Sequence, residues 1–101
     1  MTYRELLEIA RRFEHEELTT VTGKAFRVAI FRDCPFFTPE SSGLGQSDGR
    51  KAAEAFVARF NQTGSLRPGD YGDVTRNASY FVGLILASRR SRRSRRSRDA
   101  G

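Results

Sequence analysis

Apolar residues recur along this chain with two different periods, and the switches between them delimit its elements. Leu6, Ile9, Ala10 and Phe13 repeat at helical spacing, while Arg4, Glu8, Arg11 and Arg12 lie on other sides. Thr2-Tyr3-Arg4-Glu5 precedes them as a capping box, so a first helix is expected over residues 3–15. Leu18-Thr19-Thr20-Val21-Thr22 is rich in β-branched residues and ends at Gly23-Lys24, which suits a hairpin turn. Phe26, Val28 and Ile30 then alternate with Arg27, Ala29 and Phe31, the pattern of a half-buried strand. Asp33-Cys34-Pro35 breaks it, and Phe36-Phe37-Thr38 predicts a short third strand before Pro39.

The helical period returns in the second half. Residues 40–49 are polar and glycine-rich and predict a loop, from which Ser47 or Asp48 is placed to cap the next helix. Ala53, Phe56, Val57 and Phe60 form the apolar stripe of that helix, and Gly64 stands where a C-terminal cap belongs. Arg67-Pro68-Gly69-Asp70 suits a type II turn. A third helix is expected to start between Asp73 and Asn77 and to end near Ser88. Tyr80, Phe81, Val82, Leu84, Ile85 and Leu86 encircle it, which predicts burial at the centre of the fold or in an oligomer interface. The order α-β-β-β-α-α predicts an α+β domain in which helices pack on one face of a three-stranded antiparallel sheet.

Charge divides the chain differently from hydropathy. Residues 1–88 hold eleven basic and eleven acidic side chains. Residues 89–101 hold seven arginines and one aspartate, a net charge of +6 that equals the charge of the whole chain. The expected organisation is therefore one small domain over 1–88 and a disordered Arg/Ser-rich tail over 89–101. That tail has no aromatic residue for base stacking. Its capability is counterion release, with a salt slope of up to roughly −6 on duplex DNA if all seven arginines meet phosphates.

The candidate chemistry is thin. His15 is the only histidine and stands among Glu14, Glu16 and Glu17, so neither a His-rich metal site nor a Ser-His pair is expected. Cys34 is the only cysteine, beside Asp33, which disfavours a thiolate and excludes an internal disulfide. The loop Gly43-Leu44-Gly45-Gln46-Ser47-Asp48-Gly49 is neither a P-loop nor a dinucleotide fingerprint. No catalytic residue, metal or cofactor is expected. The longest apolar run, Tyr80 to Ala87, is less than half the ~20 residues of a membrane span, and no basic-then-apolar leader opens the sequence. The expectation is a cytoplasmic protein without membrane attachment.

Two resemblances bear on this reading. The α-β-β-β-α order, with Phe26-Arg27-Val28 on a strand and Gly43-x-Gly45-x-Ser47 before an alanine-rich helix, resembles a double-stranded-RNA-binding domain in topology. That resemblance implies recognition of duplex shape, with a basic cluster at the start of the second helix. The chain departs from the family in three places. Asp48-Gly49 replaces the usual lysine pair, the loop at Gly23-Lys24-Ala25 has no histidine, and the third helix is additional. The string from Leu18-Thr19-Thr20 through Thr38-Pro39-Glu40-Ser41-Ser42-Gly43 to Tyr71-x-x-Val74-Thr75-Arg76-Asn77-Ala78-Ser79-Tyr80 is similar to small bacterial domains of unknown function. It spans nearly all of residues 1–88 and implies no activity.

The sequence thus predicts a non-enzymatic binding module with largely nonspecific affinity for nucleic acid. Arg89, Arg90, Arg92, Arg93, Arg95, Arg96 and Arg98 carry that expectation, with Arg50, Lys51, Arg67 and Arg76 as lesser candidates near the loops flanking helices 2 and 3. Phe36 and Phe37 are the candidate protein contact, with one of the pair expected in the core because neighbours in a strand face opposite ways. The alternative is a protein-interaction or oligomerisation module whose basic tail is incidental.

Overall fold

In a computed structural model, the backbone of residues 1–100 and the side chains of residues 1–91 are described. The capping box forms as the sequence requires: Glu5 N donates to Thr2 Oγ1 at 3.1 Å and Thr2 N to Glu5 Oε1 at 3.2 Å. Helix α1 runs over Tyr3–Arg12 and stops earlier than expected, with Phe13 at its C-cap. Glu14, Glu16 and Glu17 follow, and carboxylates are disfavoured at the negative end of a helix dipole.

Strands β1 (Leu18–Thr19), β2 (Ala25–Phe31) and β3 (Cys34–Pro39) form an antiparallel sheet in the order β1-β2-β3. β1 is shorter than its β-branched run because Thr20 closes the turn, accepting from Gly23 N and donating its own N–H to Lys24 O. β3 starts earlier than expected. The reversal takes only Arg32 and Asp33, both left-handed with φ of 52° and 56°, as a tight primed hairpin turn demands. Cys34 and Pro35 therefore belong to the strand rather than to a break.

The register explains how β3 tolerates two prolines. Pro35 and Pro39 pair with Ile30 and Phe26, at positions whose backbone N points away from β2, so no ladder hydrogen bond is lost. Phe37 shares that orientation, and its amide and carbonyl bond to Gln46 at 2.9 and 2.7 Å.

Helix α2 (Arg50–Thr63) ends at Gly64, which is left-handed at φ 63° and donates its amide to Phe60 O. The expected type II turn is a 3-10 turn over Pro68–Tyr71 instead. A type II turn needs positive φ at Gly69, and Gly69 does not adopt it. Helix α3 spans Ala78–Ala100. The apolar pattern placed its end near Ser88, but no glycine or proline stands between Gly83 and Gly101 to stop the backbone. Ser88 is buried and accepts a hydrogen bond from Arg12 at 2.9 Å. The expectation of a disordered tail over 89–101 concerns residues whose side chains, from 92 onward, lie outside the described set.

The core lies between the helices and one face of the sheet. Phe26, Val28 and Phe37 point into it and meet Phe56, Tyr71, Phe81, Val82 and Leu84. Phe81 meets the Phe37 ring edge-on at 4.9 Å and stacks on Phe56 at 4.7 Å. Gly83 sets how closely α3 approaches, since a Cβ there would fall 3.0 Å from both Phe26 Cε1 and Thr19 O. The all-round apolar sequence of α3 is thus explained by a central position in this domain.

Candidate nucleic-acid interface

Three arginines on the body converge. Arg50 opens α2, where its Nε meets Glu54 Oε1 at 2.6 Å one turn along. Its guanidinium also lies 4.8 Å from the centroid of the Tyr3 ring. The Glu54 hydrogen bond raises the Arg50 pKa further above its ordinary value. Tyr3, Arg4, Arg11, Asp33 and Arg50 line a surface hollow of about 530 Å³. Arg4 and Arg11 are seven residues apart on α1, two turns, which puts them on one side of that helix.

Asp33 is the one carboxylate on the rim, 3.8 Å from Arg11. Arg4 makes no ion pair among the described residues. The Tyr3 hydroxyl donates to the Asp33 carbonyl. Burial, and then the neighbouring Cys34 thiol, push the Tyr3 phenol up to about 12, so it remains a neutral donor through the physiological range. Arg11 is paired with Asp33 and Arg50 with Glu54, so the three guanidinium groups keep an excess of one positive charge over these two carboxylates, and guanidinium forks match the geometry of oxyanions.

Of the described residues singled out in the sequence, only Arg50 joins this hollow. Lys51 and Arg67 are exposed but do not border it. Arg76 is exposed beside a separate hollow formed with Gln46, Ser47, Asp48 and Asn77. Arg89 and Arg90 are exposed on α3, with the Arg89 guanidinium 5.9 Å from the Phe60 centroid. Arg92, Arg93, Arg95, Arg96 and Arg98 lie outside the described side chains.

One of the Phe36-Phe37 pair lies in the core as expected: Phe37 is 0% exposed, which leaves Phe36, half-buried on the opposite face, as the candidate contact of the two. The capping of α2 needs correction. Neither Ser47 nor Asp48 caps α2, whose N-cap is Gly49 with no side-chain bond. Asp48 instead organises the start of α3. Its Oδ2 accepts from Thr75 Oγ1 at 2.7 Å and Arg76 N at 2.8 Å, and its Oδ1 from Asn77 Nδ2 at 3.1 Å. A carboxylate satisfied in this way holds two distant segments together, and its charge makes that loop a poor seat for phosphate.

Sequence reasoning missed Arg4 and Arg11, which read as the solvated side of α1. Their two-turn spacing was visible, but the approach of Arg50 from α2 was not. Among the described residues no group of three His, Cys, Asp or Glu side chains is arranged to hold a metal. No helix among them is long and apolar enough to cross a membrane. Compared with known proteins, the chain matches no family model, no curated protein and no solved structure.

Proposed function

We propose that this chain is a binding module, not an enzyme, that takes hold of nucleic acid largely through charge. The observation that carries the reading is the concentration of seven arginines against one aspartate in residues 89–101. The hollow lined by Arg4, Arg11 and Arg50 gives the near-neutral body a local cationic surface that supports the same reading.

The test replaces Arg92, Arg93, Arg95, Arg96 and Arg98 by Gln together. This leaves Ser88, Arg89 and every described body contact in place. Titrations against duplex DNA, duplex RNA and a single strand at several salt concentrations should show a salt slope of up to roughly −6 for the native chain, falling to roughly −2 for the variant. An unchanged slope refutes the role of those arginines. A second reading, a protein-interaction module, is supported by the exposure of Leu44 at 73%. A native chain that ignores all three polymers and self-associates in sedimentation favours that alternative.

A further inference from the structure

Strands β2 and β3 carry a second aromatic surface that the core does not use. The alternation that buries Phe26 and Val28 leaves Arg27, Ala29 and Phe31 exposed. Register sets Phe36 opposite Ala29 and Thr38 opposite Arg27, so Phe31 and Phe36 share the outer face. Their rings meet edge to face with centroids 5.8 Å apart. Phe31 keeps 57% of its surface open to solvent, while the loop at Gly45 passes along the Phe36 ring. The Arg32 guanidinium lies 5.3 Å from the Phe31 centroid and makes no ion pair among the described residues. Farther along β2, Arg27 is paired with Glu40 at 3.3 Å.

The hairpin tip beside this surface is held in a conformation that side chains disfavour. Arg32 and Asp33 are both left-handed, although neither is glycine. Helix α1 restrains them through the Tyr3 hydroxyl on the Asp33 carbonyl and through the Arg11–Asp33 ion pair. The restrained tip keeps an unpaired cation next to an exposed ring.

We infer that the outer sheet face is a stacking platform for single-stranded nucleic acid, which rests on the nucleic-acid reading above and names the strand state it favours. Bases lie against Phe31 and the open part of Phe36, and Arg32 meets the adjoining phosphate. Aromatic side chains accept any unpaired base through its π-face, whereas the bases of a duplex are already stacked on each other. An aromatic pair with a guanidinium over one of its rings and no carboxylate on that guanidinium among the described residues complements a polyanion with flat apolar groups.

The test is fluorescence anisotropy with the full chain, using oligothymidylate and a DNA duplex as probes. Phe31→Ala is expected to weaken oligothymidylate binding about tenfold or more while duplex binding holds. Phe31→Tyr keeps an aromatic face and should bind the single strand as the native chain does. Phe31→Leu keeps apolar bulk without a ring and should behave like Phe31→Ala. Equal losses on both probes, or no loss on oligothymidylate, overturn the platform and leave the nucleic-acid reading standing. A native dimer in sedimentation that Phe31→Ala dissociates also overturns it, because a second copy then covers this face. Failure of the native chain to bind either probe overturns the nucleic-acid reading itself, and the platform with it.

Discussion

Phe36 and Phe37 are chemically identical neighbours, yet one helps seal the core and the other borders solvent. The same division holds along β2, where Phe26 is fully buried and Phe31 is mostly exposed. Inside, aromatic rings are fixed by contact from several directions: Phe37 meets Phe26, Tyr80 and Phe81. Outside, Phe31 has Phe36 and the Arg32 cation. Strand parity, not residue type, decides whether a phenylalanine is enclosed in the core or left at the surface.

Truncation on the inner face should have the largest effect. Phe37→Ala removes a fully enclosed ring and is expected to cost about 3–5 kcal/mol in denaturant-unfolding experiments. A loss below about 1 kcal/mol contradicts the central placement of Phe37. Gly83→Ala probes the same face from the helix side. Its new methyl has no room against Phe26 and the Thr19 carbonyl, and a cost of about 1–3 kcal/mol is expected from overpacking. Asp48→Ala tests the joint that seats α3 above that face. Three donors lose their acceptor, and a loss of about 1–2 kcal/mol should appear in the same unfolding measurement.

Two further positions should respond more weakly. The Tyr3 phenol is raised from its ordinary 10.0 to about 12. A raised pKa means that its contribution is fully present below pH 10 and is lost as pH rises towards 12. Spectrophotometric titration should find one tyrosine ionising late, and Tyr3→Phe should remove that step. Phe31→Ala should change stability by less than about 0.5 kcal/mol. A loss comparable to that of Phe37→Ala would erase the distinction between the faces.

Much of the fold was legible because local chemistry and tertiary contacts agree there. The capping box at Thr2, the Gly64 cap and the stripe from Ala53 to Phe60 each form as read. The Arg32-Asp33 turn was not legible, because it lacks the glycine or asparagine that normally announces a left-handed pair. Pro35 reads as a breaker and Pro39 as suited to an edge or a strand end, and only the register shows that both nitrogens face away from β2. Of the candidate site, the sequence made legible the continuous charge after Ser88 and Arg50 at the start of α2. The hollow of Arg4, Arg11 and Arg50 is assembled from two helices, and no local pattern announces such a meeting.

Left to itself, the order of residues settles the succession of helices and strands, the antiparallel α+β class and the accumulation of positive charge after Ser88. Those properties depend on side-chain period, on caps and on composition, all of which act over a few residues. Packing settled which neighbour of the Phe36-Phe37 pair is enclosed, which helix Asp48 serves and which arginines meet around Tyr3. Each of these depends on segments far apart in the chain, and their meeting is fixed by how the helices seat on the sheet.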